Sequence, residues 1–131
     1  MILLDTQAAA WLATRPQRLS RPATAAIRRE SARNGLAIAS VTLMELAQML
    51  ASGDIRATGT PREWLRDFAT NSGVAIRDLT VDVAAVAAHL PAHFPGDPFD
   101  RVIAATAIVE RVPLVTSDTR IRKSKVVRTI W

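Results

Sequence analysis

The stretch GDPFDRVIAATAIVERVPLVTSD, Gly96 to Asp118, decides how the chain is read. It opens with two aspartates around a proline, Asp97 and Asp100. An apolar run of helical length follows, with Phe99, Val102, Ile103, Thr106 and Ala107 along one face. After Pro113 comes PLVTS, an apolar segment of strand length, and the stretch ends on Asp118. Pro98 suits a first helical position, because its missing N–H has no partner there anyway. That makes Asp97 the N-cap and puts Asp100 in the first turn. The expected unit is a helix with an acid at its start, then a strand with an acid at its end. In α/β sheets those two ends lie on one edge, where ligands bind.

Working outward, the same alternation recurs. MILL at the start and LAIAS at 36–40 read as buried strands, VAIRDL at 74–79 as a third and KVVRTIW at 125–131 as a last. Between them lie helical segments. TQAAAWLAT is rich in alanine. SRPATAAIRRESARNG carries Pro22 in its first turn and Gly35 just past its end. TLMELAQMLASG is expected to open on a T-x-x-E capping box, Thr42 with Glu45, and to close on Gly53. TPREWLRDFATNSG repeats that signature with Thr60, Glu63 and Gly73, and TVDVAAVAAHL is stopped by Pro91. Short apolar strands alternating with helices predict an α/β fold: a mainly parallel sheet with helices on both faces. One domain, residues 1–131, is expected at this length.

Composition narrows the chemistry. Apolar residues make up 49% of the chain, which argues against disorder. Cysteine is absent, which excludes disulfides and thiolate metal sites and fits a reducing compartment. No apolar run approaches the roughly 20 residues of a membrane span, and Asp5 comes too early for a signal peptide, so a cytoplasmic location is expected. The net charge of +5 is unevenly placed. Arg15 to Arg33 holds six arginines and one acid, Glu30; beyond Asp118 stand Arg120, Arg122, Lys123, Lys125 and Arg128 with no acid. A basic segment suits a polyanion or, equally, a solvated surface.

Two further acids join those of the opening stretch. Asp5 follows the first strand, and Glu45 lies in the first turn of the helix after LAIAS. Asp5, Glu45, Asp100 and Asp118 are therefore expected at one edge of the sheet. Two unit charges ~4 Å apart cost ~4 kcal/mol at an effective dielectric near 20, so protons or a cation must offset the crowding. An oxygen-only donor set suits Mg²⁺ or Mn²⁺, and such ions suit attack of water on a phosphodiester. Each acid also has a plainer reading: Asp5 as an N-cap, Glu45 as the partner of Thr42, Asp100 as a complement to a helix dipole, Asp118 as a turn residue. The joint placement is the signal. His89 and His93 lack a second ligand at metal spacing and read as loop or surface, and no glycine-rich phosphate loop is present.

LLDT at the start, the Glu45 helix, DPFDRVIAATA and PLVTSD, in that order, resemble a PIN domain; LPAHFPGDPFDR and the ending VVRTIW resemble the VapC-type ribonuclease toxins of type II toxin–antitoxin pairs. The resemblance spans the whole chain. It implies a three-layer α/β/α sandwich and RNA cleavage with Mg²⁺ or Mn²⁺ at Asp5, Glu45, Asp100 and Asp118. Thr6, Asp97, Thr116 and Ser117 would support that site, and Arg101, Arg120 and Arg122 would contact RNA. It also implies a small cognate antitoxin as partner and a homodimer. Gln7 departs from the pattern, since many relatives carry histidine there. A PIN-like RNA-binding module without turnover is the alternative reading. An aspartyl phosphoryl-transfer site is weaker, because Thr6, Gln7 and Ala8 offer no second acid beside Asp5.

Overall fold

A computed structural model describes residues 1–131. Five strands form one parallel sheet: β1 (Ile2–Leu4), β2 (Leu36–Ala39), β3 (Ala75–Arg77), β4 (Leu114–Val115) and β5 (Thr129–Ile130). Seven α-helices connect them: α1 (Thr6–Thr14), α2 (Arg21–Ser31), α3 (Val41–Ser52), α4 (Pro61–Asn71), α5 (Val81–Ala88), α6 (Pro98–Glu110) and α7 (Thr119–Ser124). Every residue of β1, β2 and β4 is buried, as expected for strands covered on both faces. The edge strands β3 and β5 are more exposed.

Side chains alternate across the sheet and sort into two cores. Ile2, Leu4, Leu36 and Ile38 pack with Ala8, Ile27, Leu46 and Phe68 on one face. Leu3, Ala37, Ala39 and Leu114 pack with Phe94, Ile103, Ala104 and Ile121 on the other. The register pairs Leu3 with both Ala37 and Leu114, so β1 is the central strand. This is the three-layer α/β/α arrangement with a parallel sheet that the sequence led us to expect.

The strand order β3-β2-β1-β4-β5 positions the site. From β1 the chain builds outward through β2 to β3, then returns to the other side of β1 for β4. The crossovers on either side of β1 leave a crevice beyond the carboxyl ends of β1 and β4, the switch point where open α/β sheets bind ligands. Asp5 follows β1, and Thr116, Ser117 and Asp118 follow β4.

Two local expectations are corrected. Thr42 and Glu45 do not form a capping box: Ser40 is the N-cap residue of α3, with no side-chain cap bond, and Thr42 is fully buried. Its hydroxyl is used inside the protein, which removes it as a cap. Gly35 lies just past α2, as expected; the left-handed residue there is Asn34 at φ 55°, and Gly35 serves close packing. A Cβ on Gly35 would lie 2.5 Å from Glu30 Oε2. Asp118 starts a helix, α7, where the sequence suggested a turn. Gly53 and Gly73 do adopt positive φ, 86° and 73°, where α3 and α4 give way to loops.

Candidate metal centre

A polar cleft of about 420 Å³ opens at the switch point. Asp5, Thr6, Glu45, Asp100, Ser117 and Asp118 line it, joined by Gln7, Met49 and Asp54. The four expected acids thus share one cavity. Asp54, in the loop after α3, is a fifth acid that the sequence did not single out, because it stands in no recognisable motif.

Local structure explains how each carboxylate is held. Asp5 is the N-cap of α1 and accepts the Ala8 N–H at 2.7 Å. Asp97 caps α6, accepting Phe99 N–H at 2.8 Å and Asp100 N–H at 3.1 Å. Asp100 stands in the first turn with no acceptor duty of its own, so its carboxylate is free for the cleft. Asp118 caps α7 through the N–H groups of Arg120 and Ile121 and pairs with the Arg120 guanidinium at 3.0 Å. For Asp5 and Asp118, capping and cleft lining are properties of the same carboxylate.

Glu45 is held by hydroxyls. The Thr6 hydroxyl donates to Glu45 Oε1 at 2.5 Å and lies 3.1 Å from the Thr42 hydroxyl. Since Thr6 spends its only proton on Glu45, it accepts from Thr42, and the order of donation is Thr42 to Thr6 to Glu45. Thr42→Val keeps the shape and removes the buried donor. It is expected to cost about 1 kcal/mol of stability, which thermal unfolding of the variant beside the parent checks.

The electrostatics are those of crowded acids. Burial, with lesser repulsion from Asp118 and Glu45, raises Asp5 to about 6 against the pull of Thr116 and the Ala8 N–H. Burial, then repulsion from Asp97, Glu45, Asp118 and Asp5, raises Asp100 to about 6. Glu45 is raised by burial and by Asp97, against its bond from Thr6. Asp118 moves the other way. Burial opposes its ionisation, but Arg120 and the two backbone N–H groups together hold it below the usual carboxylate range. Arg120 is the only basic side chain that pairs with any of the four. No three acids converge tightly enough to form a preformed cage.

The remaining expected residues lie around the cleft. Thr116 is fully buried behind Asp5, and its hydroxyl accepts the Asp118 N–H at 3.1 Å. Asp97 acts on the cleft through charge rather than by lining it. Arg101 points into the protein: it donates to the Phe94 carbonyl at 3.3 Å and lies 5.9 Å over the Phe94 ring, fixing the loop before α6. Arg120 is tied to Asp118. Arg122 lines a second, basic cleft beside α7. His89 and His93 are exposed, as the sequence suggested.

Comparison with known proteins agrees with this architecture. Residues 2–126 match the PIN domain family. The chain is 39% identical over 132 residues to Ribonuclease VapC22 of Mycobacterium tuberculosis, an alignment covering 99% of this chain and 98% of the relative. VapBC2 from Rickettsia felis, solved bound to a promoter DNA fragment, superposes with a TM-score of 0.71 at 19% identity, over 98% of this chain and 97% of that one. FitAcB from Neisseria gonorrhoeae gives 0.71 at 21% identity, over 98% and 96%. The two structural likenesses speak to the fold; the family match and the 39% relative speak to descent. With strand-end acids on both sides of the central strand and a family match across nearly its whole length, this chain belongs to the PIN domain family.

Proposed function

We propose that the chain, acting as one domain over residues 1–131, is a divalent-metal-dependent endoribonuclease and the toxin of a type II toxin–antitoxin pair. The observation that carries this reading is the cleft itself: Asp5, Glu45 and Asp100 share it with no basic side chain paired to any of them. Structural acids are normally paired or solvated. Acids kept together at the cost of raised affinity for protons await a cation. The ribonuclease relative supports the choice of RNA, and the complexes among the structural neighbours support an antitoxin partner.

The donor set fits Mg²⁺ or Mn²⁺: only oxygen ligands are present, and the absence of a tight protein cage suits an ion that keeps several waters and shares its remaining positions with substrate phosphate. When bound, such an ion supplies an activated water and neutralises charge that develops on the phosphate oxygens. Asp5, Glu45, Asp100 and Asp118 would hold it. The chain's own contribution is preorganisation. Capping bonds fix Asp5 and Asp118, the Thr42–Thr6 pair fixes Glu45, Thr116 accepts the Asp118 N–H from behind, and Ser117 completes the wall beside Asp118. Arg120 restrains Asp118 in the metal-free protein and sits at the rim where a phosphate would arrive. A cytoplasmic homodimer held by an antitoxin is the physiological form in this reading.

The test is cleavage of RNA by the purified protein with Mg²⁺ or Mn²⁺ and with chelator, beside expression of the chain alone in cells. Growth arrest that Asp100→Asn removes, together with metal-dependent cleavage, is the expected result. RNA binding without cleavage under any metal would favour the module without turnover.

A further inference from the structure

The acidic cleft cannot by itself hold a polyanion. Five carboxylates line it, and a nucleic-acid backbone carries a negative charge at every nucleotide. A second cleft, of about 370 Å³, is lined by Arg122, Lys123 and Lys125 with the hydroxyls of Thr119 and Thr129, and by no acid. None of its three cations takes part in an ion pair. The two clefts meet along the chain: Ser117 and Asp118 line the acidic one, and the next residue, Thr119, lines the basic one.

Local structure does not account for these charges. Arg122 and Lys123 lie in the last turn of α7, where cations complement the helix dipole, but α7 is only six residues long and its dipole is correspondingly weak. Lys125 lies beyond it at φ 61°, a left-handed conformation usually given to glycine or asparagine. A lysine there keeps a charge at the cleft in a backbone state that disfavours it.

We propose that the cleft between α7 and β5 is a phosphate-backbone site that holds the flank of an RNA strand whose scissile bond lies in the acidic cleft. This rests on the ribonuclease reading above. The strand crosses the start of α7, with Lys123, Lys125 and Arg122 neutralising phosphates and Thr119 and Thr129 offering hydroxyl donors to phosphate oxygens. Such contacts are indifferent to base identity, so they set affinity and register rather than sequence preference.

The experiment uses the full chain with Lys123→Gln and Lys125→Asn combined; asparagine tolerates the left-handed backbone at 125. The substrates are a mixed-sequence single-stranded RNA of about 16 nucleotides and a dinucleotide, whose single phosphodiester is the scissile one and leaves no flanking phosphate for the basic cleft. For the long RNA, KM is expected to rise about tenfold with kcat within about threefold, and the slope of log affinity against log salt to flatten by about 1.4, two contacts at ~0.7 each. The dinucleotide should be cleaved as by the parent. An unchanged KM and salt slope for the long RNA overturns the proposal. So does a loss confined to inhibition by a copurifying protein partner, which would make this cleft a protein interface. If the parent cleaves no RNA with either metal, the ribonuclease reading fails separately. Binding of the long RNA in the salt titration then decides the site by the same slope.

Discussion

Asp100→Asn is expected to fold like the parent and to lose at least about a hundredfold in metal-dependent RNA cleavage, the scale on which preorganised charge contributes to a transition state. The substitution is nearly isosteric. Asp100 accepts no backbone bond that asparagine would forfeit, so the helix start is untouched. The change removes the one carboxylate of α6 that faces the cleft. Its neighbour Asp97 should fail differently. It accepts two N–H bonds of the first turn, at 2.8 and 3.1 Å, and lies outside the cleft lining. Asp97→Ala should cost about 1 kcal/mol of stability, as loss of an N-cap does, while Asp97→Asn keeps the cap. Asp97→Asn also removes a charge that raises both Asp100 and Glu45. In chelator, NMR titration of the carboxyl carbons should therefore find Asp100 below its parental value near 6. Cleavage rate and melting temperature for the three variants separate the roles. An active Asp100→Asn beside a dead Asp97→Asn would mean that the cleft works through the cap and not through Asp100.

The placement of these two aspartates, Asp97 at the cap and Asp100 in the first turn, was legible in the sequence, because Pro98 admits one helical register and that register assigns both positions. The parallel sheet was equally legible: MILL, LAIAS and PLVTS are too short for helices and too apolar for exposed strands. Glu45 shows where such reading stops. Thr42 and Glu45 have the spacing of a capping box, and only the approach of α1 to α3 reveals that Thr6 takes the place of the backbone as donor to Glu45. That contact spans 39 positions, so no local pattern carries it. Asp54 was hidden for a related reason: it reaches the cleft from a loop whose path is set by Gly53 and by packing of Ile55, not by any periodicity. Arg101 makes a contact that the sequence does not show. Sequence puts it beside Asp100, and in the fold it donates to the Phe94 carbonyl and lies over the Phe94 ring.

Asp5→Asn is expected to stabilise the metal-free protein at pH 7.5 and to abolish most of its response to metal. Asparagine remains a good N-cap for α1, so the Ala8 contact survives. What disappears is a buried charge. Asp5 titrates at about 6 in the folded chain against 3.8 as the unperturbed value. Between those values the folded state keeps a proton that the unfolded state has lost, so unfolding free energy falls as pH rises through that window and stays low above it. At pH 7.5 the deficit is on the order of 2–3 kcal/mol, and at pH 4 little of it remains. The variant should therefore melt several degrees above the parent in chelator at pH 7.5, with the two nearly equal at pH 4. Mn²⁺ reverses the order. An ion that binds only the folded state adds about 4.1 kcal/mol at a thousandfold excess over Kd, more than that deficit, and the parent alone should gain most of it. Melting curves of both proteins at the two pH values, with chelator and with Mn²⁺, contain the whole comparison. The inversion is the informative result, because a purely structural Asp5 would leave the order of the two proteins the same with Mn²⁺ as with chelator. An equal rise of both proteins with Mn²⁺ would place the ion away from Asp5 and leave the crowded carboxylates without a shared purpose.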